Sequence, residues 1–218
     1  MWPNIGTVRA DKNRFMDDYL DSLDKAIALE PEIFLPGQDK PVFGKEKILA
    51  NLTKIRDAVK YVRNEVVKGL NQGKDVYQLM QEIRLPEHLA DLSQQHGRVE
   101  WSIRSMVYHY GAWFQYRYTS ELYPYRPTLM YPDLVELAGG VEPVAKRAQQ
   151  ALTNGEPVKA IQLVEAALEV APDNKQVLET QLDVLQALLK HAQETHKTFS
   201  EIAWLQAEIS KVRRKLEG

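Results

Sequence analysis

A mainly helical fold is predicted by three features. Apolar residues recur at three- to four-residue steps through most of the 218 residues. β-type runs are confined to residues 5–8 and 33–35, and proline and glycine gather at a few breaks between the helical stretches. The expected architecture is multi-helical, with a small residual β/α segment at the N-terminus and a repeat-like helical tail.

The elements follow in chain order. After a short extended start at 5–8, Phe15, Tyr19, Leu23 and Ile27 form one stripe of a helix ending near Leu29, with Asp11 placed to cap it. Residues 30–44 carry Pro31, Pro36, Gly37, Pro41 and Gly44 around Ile33-Phe34-Leu35, which reads as a buried strand and a turn. Its only visible β-like partner is 5–8. From Lys45 to Asn71, Ile48, Leu52, Ile55, Val59, Val62, Val66 and Leu70 share one face of a long helix closed by Gly73. Asp75 caps a shorter helix holding Val76, Leu79, Met80 and Ile83, and Pro86 opens another turn.

Residues 99–118 read as a helix with aromatic residues around most of its circumference, among them Trp101, Tyr108, Tyr110, Trp113, Phe114 and Tyr116. A helix apolar on nearly every side requires contact on several sides. Residues 119–132, with Pro124, Pro127 and Pro132, read as a stiff hinge. Past Gly139-Gly140, the positions Val144, Ala148, Ala151, Gly155, Ala160, Val164, Ala167 and Pro172 approach tetratricopeptide-repeat (TPR) spacing. Small residues there allow two helices to approach closely. A second pair begins at 175–190 without a glycine for its turn, and a charged amphipathic helix from Phe199 to Leu216 caps the tail.

Composition narrows the function classes. With 28 Lys+Arg against 30 Asp+Glu the net charge is -2, which gives no bulk attraction to a phosphate backbone, so nucleic acid is not the expected partner. Zero cysteines exclude disulfides, thiolate metal sites and Cys nucleophiles. No signal-like start and no run of roughly 20 apolar residues is present, so a membrane partner is not expected and the default compartment is cytoplasmic, any upstream export signal lying outside this chain.

Several strings in order resemble one family. Pro3-Asn4-Ile5-Gly6-Thr7-Val8-Arg9, Ser22-Leu23-Asp24-Lys25 and Pro36-Gly37-Gln38-Asp39-Lys40-Pro41-Val42-Phe43-Gly44 look like the end of a metallo-β-lactamase-fold hydrolase. Arg56-Asp57-Ala58-Val59-Lys60-Tyr61-Val62, Leu85-Pro86-Glu87-His88-Leu89, Val99-Glu100-Trp101-Ser102-Ile103-Arg104 and Gly111-Ala112-Trp113-Phe114 are similar to the alkyl sulfatase dimerisation domain. The resemblance covers roughly residues 3–175. It implies three parts: 1–44 as the residual end of the hydrolase fold, 45–132 as the helical dimerisation-like domain, and 133–218 as a TPR-like tail. It also implies a zinc-dependent sulfate-ester hydrolase as the parent enzyme, with the helical domain pairing two subunits.

The chain departs from that family at the metal. The upstream H-x-H-x-D-H motif is missing, and Gln38 stands where the family has a His ligand; an amide lacks the basic nitrogen that binds zinc. His88, His96 and His109 have no ligand spacing, and His191 and His196 fall on different helix faces. No metal, cofactor or catalytic residue is therefore expected within this chain. Glu100 with Arg104 is read as an intrahelical ion pair. By resemblance, Asn4, Arg9, Arg104 and Tyr108 are candidate substrate contacts, Arg having the planar fork that suits a sulfate. Trp101, Trp113 and Phe114 are candidates for a dimer interface. The Lys211–Lys215 run reads as cations placed against the end of a helix.

The leading expectation is a homodimerising interaction module without the di-zinc motif. One alternative is part of a split or truncated sulfate-ester hydrolase whose metal-bearing domain lies upstream or in trans. The other is a TPR-like adaptor for a peptide.

Overall fold

The computed structural model describes residues 1–6, 8, 14–111, 113–115 and 117–218. Contacts group the chain into two compact units, Met1–Gln115 and Tyr116–Gly218.

In the first unit, α1 (Met16–Ala28) buries Met16 and Leu23. Phe15 occupies its N-cap position; Asp11, expected to cap it, lies outside the described residues. Two short strands follow, β1 (Ile33–Phe34) and β2 (Val42–Phe43), paired antiparallel with Ile33 opposite Phe43 and Phe34 opposite Val42. The strand at 33–35 thus finds its partner across its own turn and not at residues 5–8, where Ile5 and Gly6 instead form a bend. Asp39 takes φ +73° in that turn. A two-residue β2 squeezed between Pro41 and Gly44 left no periodicity to read.

The long helix α2 (Lys45–Asn71) buries Ile48, Leu52, Val59, Val62 and Val66, the stripe read from its spacing, with Ile55 and Leu70 half-buried beside it. α3 (Val76–Glu82) opens on a capping box, in which Asp75 accepts from the Gln78 N–H and the Gln78 side chain accepts from the Asp75 N–H. A 3₁₀ turn at Glu87–Leu89 follows Pro86.

α4 (Val99–Tyr110) is shorter than the helix expected over 99–118. Gly111 ends it in extended conformation, its N–H donating to the Val107 carbonyl at 2.7 Å. A Cβ at Gly111 would lie 2.7 Å from that same carbonyl oxygen, so glycine permits the sharp exit. Trp113 and Phe114 therefore stand beyond the helix.

The start of the chain locks onto α4. Trp2 is fully buried and its Nε1 donates to Ser102 Oγ at 3.0 Å. Gly6 passes so close to the α4 backbone that a Cβ would sit 2.4 Å from the Trp101 carbonyl oxygen. Residues 1–44 and α2–α4 consequently share one core: Trp2, Ile5 and Met16 pack with Val59, Val62, Ile103 and Met106.

The second unit begins with 3₁₀ turns at Thr119–Leu122 and Pro127–Met130, then α5 (Tyr131–Leu137). The proline-rich stretch read as a stiff hinge ends by starting a helix, because Pro132 sits in the first turn, where its missing N–H costs nothing. α6 (Val141–Thr153) and α7 (Pro157–Val170) pack through Ala145, Ala148, Ala151, Ala160 and Ala167, all at most 1% exposed. Gly155 turns between them at φ +77°. α8 (Lys175–Glu194) and α9 (Phe199–Glu217) form a second pair around Leu185, Leu205, Ile209 and Val212. Lys197 takes the left-handed turn position at φ +53° where a glycine was missing from the pattern, its N–H donating to the Ala192 carbonyl. No helix of the described residues is long and apolar enough to cross a membrane.

Candidate association surface

α4 turns Ile103, Met106 and Val107 into the first unit's core and leaves Arg104 and Tyr108 on its exposed side. The aromatic residues expected around most of its circumference are thus largely outside the core. Trp113 is 77% exposed and Tyr108 60%, while Trp101 and Phe114 are half-buried. The Trp113 and Phe114 rings lean together at 5.6 Å between centroids, and the Arg98 guanidinium lies 5.8 Å over the Trp101 ring. The Trp113 indole thus stands in water beyond the end of α4.

A polar network anchors the end of α4 to α1 and α2. The Tyr110 hydroxyl donates to Asp17 Oδ2 at 2.9 Å and accepts from Arg63 Nε at 3.4 Å. Arg63 pairs with Asp17 at 3.1 Å and sits 5.7 Å from the Tyr110 ring centroid. Burial pushes the Tyr110 phenol up; the Arg63 hydrogen bond draws it back, and Asp17 raises it again. His109 lies between aromatic neighbours, 4.8 Å from the Phe15 ring and 4.9 Å from that of Tyr110. This network fixes Tyr110 in the last turn of α4. It joins residues more than forty positions apart in sequence, and that separation hid it from a reading of single helices.

In the second unit, residues 118–137 expose Tyr118, Leu122, Tyr123, Tyr125, Leu134 and Leu137. On α5 Leu134 and Leu137 face solvent, Leu137 at 84% exposure, while Val135 turns inward. Exposed aliphatic residues on the outer side of a short helix leave an apolar stripe without cover.

The remaining candidates fall as follows. Arg104 Nη2 donates to the Tyr77 hydroxyl at 3.3 Å and its guanidinium lies 5.4 Å from that ring. Glu100 pairs with Arg98 at 3.3 Å, so the ion pair involves a residue two positions earlier than the sequence suggested a partner four later. Asn4 is half-buried and its carbonyl accepts from Arg14. Arg9 lies outside the described residues. Gln38 is exposed in the turn between β1 and β2.

The donor set does not fit a zinc centre. Among the described residues no group of three or more His, Asp or Glu side chains is gathered closely enough to hold a metal ion. His109 is packed among aromatic rings, and Gln38 offers only an amide. No chemistry is accordingly assigned to a metal on this chain.

A helical scaffold that leaves an indole exposed beyond the end of α4 suits an association module. The comparisons with known proteins say of which kind. The family model for alkyl sulfatase dimerisation matches residues 75–203, more than half of the chain, and the chain belongs to that family. A linear primary-alkylsulfatase of Pseudomonas sp. is 32% identical over 177 residues, which are 79% of this chain and 33% of that relative. An alkyl/aryl-sulfatase of Saccharomyces cerevisiae is 24% identical over 78% of this chain and 27% of its own length. The solved structure of a stereoselective inverting sec-alkylsulfatase from Pseudomonas sp. superposes with a TM-score of 0.82 at 21% identity, covering 99% of this chain and 33% of that one, and so shares the fold. The chain spans about a third of the length of the curated relatives it matches.

Proposed function

We propose that this chain joins two copies of itself, acting as the homodimerisation module of an alkyl sulfatase-like hydrolase. The observation that carries the reading is Trp113, an indole 77% exposed three residues beyond Tyr110, which the α1–α2–α4 network holds. Phe114 follows it directly and Trp101 lies in the first turn of α4; both are the further contacts of the interface. Burying such aromatic residues supplies most of the binding energy in interfaces of ordinary size. Tagged and untagged copies mixed in solution are expected to co-purify. Failure of the two to associate at micromolar concentration would reject the reading.

The share of the relatives that the chain covers favours a second reading, in which it serves a sulfate-ester hydrolase whose zinc-bearing portion lies elsewhere in the same protein or on another chain. Asn4, Arg9, Arg104 and Tyr108 would then reach a substrate brought to them. Purified chain alone is expected to turn over no alkyl sulfate under either reading. Turnover with stoichiometric bound zinc would show that this chain carries the chemistry itself. The helix pairs of residues 141–218 serve in both readings as a TPR-like supporting tail.

A further inference from the structure

In the second unit α6, α7 and α8 pack together, and the two short turns between them reverse the chain twice, so α6 and α8 run in the same direction. A groove of about 780 Å³ lies between α6 and α8. Helical spacing builds it. Positions 142, 145, 146 and 149 of α6 and positions 176, 179, 180 and 183 of α8 repeat the same i, i+3, i+4, i+7 pattern, so each helix presents one row of side chains. Ala145 and Thr180, 1% and 7% exposed, make its floor. Seven residues of helix rise about 10 Å, the length of roughly three residues of extended chain.

The walls are polar and unequal in charge. The lining sets Glu142, Glu179 and Asp183 against Lys146, three carboxylates to one ammonium. None of these four joins an ion pair among the described residues, whereas Glu156, Asp173 and Glu208 of the same unit each hold a lysine. Of the nearby cations, Arg147 turns to Gln150 at 3.4 Å and Lys175 lies outside the lining. Glu142 stands in the first turn of α6, where the helix dipole already supports its charge. Glu179 and Asp183 lie beyond the first turn of α8, four residues apart, and like charges at that spacing repel. A cation bound between them removes that repulsion. Gln149 and Gln176 add one amide from each helix, and an amide both donates and accepts, as a peptide backbone does.

We propose that this groove binds an extended basic segment of another protein, with Lys or Arg side chains at Glu179 and Asp183 and main-chain groups at Gln149 and Gln176. The chain's own basic run does not supply such a segment: residues 211–215 are helical in α9, and Lys211 and Lys215 are paired. The groove belongs wholly to the second unit and Trp113 to the first, so the inference stands apart from the pairing reading. Exposed charge pairs contribute little each, so the binding is weak and sensitive to salt.

Fluorescence anisotropy of the labelled peptide Thr-Lys-Thr-Arg-Thr-Lys-Thr, titrated with the full chain at low salt, tests this. Saturable binding is expected. The acidic peptide Thr-Glu-Thr-Glu-Thr-Glu-Thr should not bind, and spermine, a polycation without a backbone for the amides, should compete on the order of tenfold more weakly. Glu179→Gln with Asp183→Asn should weaken the basic peptide about tenfold. Glu169→Gln with Glu194→Gln removes the same charge from exposed positions outside the groove and should change affinity by less than about twofold. Lys146→Gln removes the cation of the lining and should tighten binding a few-fold. Equal losses from the two double variants, equal competition by spermine, binding of the acidic peptide, or weaker binding by Lys146→Gln would each overturn the proposal. Conversion of a dimer to single chains by the basic peptide would assign the groove to a second copy and overturn it too. Should a variant unfold, the comparison of the three ligands on the unaltered chain decides the matter. Peptide binding is read by anisotropy and pairing of copies by mass, so failure of either leaves the other standing.

Discussion

Replacing Trp113 with Glu separates an interface residue from a core residue. In a single copy the side chain is 77% exposed and its main aromatic neighbour is Phe114, 5.6 Å away. Loss of that ring pair costs about 0.5–1.5 kcal/mol, and a surface carboxylate adds little more. The fold should therefore survive. In a dimer built on this residue the balance differs. A Trp buries about 150–250 Å² in all, so three quarters of it still available to a partner represents roughly 3–5 kcal/mol as an upper estimate. A carboxylate placed there also meets a desolvation cost of several kcal/mol. With each 1.4 kcal/mol worth about tenfold, the dissociation constant should rise by at least about a hundredfold. In a two-fold dimer the change is made on both sides. Sedimentation velocity at micromolar concentration should show a monomer, and thermal melting by circular dichroism should shift by only a few degrees. An unchanged dimer would place the interface elsewhere. A collapse of the melting transition would mean that the indole is part of the core.

Three other perturbations test the account at separate points. Gly6→Ala places a methyl group 2.4 Å from the Trp101 carbonyl oxygen, a backbone atom that cannot step aside, and should destabilise the first unit by about 1–3 kcal/mol in denaturant titration; a neutral result would mean the chain's start is not held against α4. Lys197→Gly removes the cost of a left-handed side-chain residue at φ +53° and should raise stability by about 0.5–1 kcal/mol, read from the same titration, whereas a loss would mean that the Lys197 side chain matters more than its backbone. Because the proposed interface is aromatic and not ionic, raising salt from about 0.05 to 0.5 M should leave dimer affinity within a few-fold. A steep weakening would point to ion pairs such as those of Arg98 or Arg104.

The helices were legible wherever one face repeated over several turns. α2 was placed from Lys45 to Asn71 by its valine and isoleucine stripe, and α6 and α7 by small residues with glycine between and proline after. Local chemistry was legible too, as with the Asp75 cap. What escaped were features decided by single residues or by distant pairing. Gly111 ends α4 at Tyr110 although the aromatic pattern runs on, because that pattern belongs to an outward surface and not to one continuous helix. β2 is only two residues long, so its pairing with Ile33–Phe34 rests on the turn and leaves no alternation in the sequence. Lys197 supplies a turn that spacing rules assign to glycine. The Asp17–Arg63–Tyr110 network needs three elements folded together before any of its members looks special.

Of the strings that carried the family resemblance, the structure explains Gly6 physically, and it adds Gly97 and Trp2, which lie outside them. Gly6 and Gly97 both sit where a Cβ would collide with neighbouring backbone, Gly97 against Pro3 and Asn4, and Trp2 fills the space beside Ser102. These close approaches tie the chain's start to α4. Candidate substrate contacts remain a matter of assembly: Arg104 is turned to Tyr77 and the Asn4 carbonyl to Arg14, so a substrate would have to displace or share those partners.

The mass of the particle in solution tests the central claim most directly. Light scattering coupled to size exclusion, run from low micromolar concentration upward, should return twice the 25.0 kDa of one chain, with dissociation to a single chain only on dilution. A mass of one chain at every concentration would contradict the account.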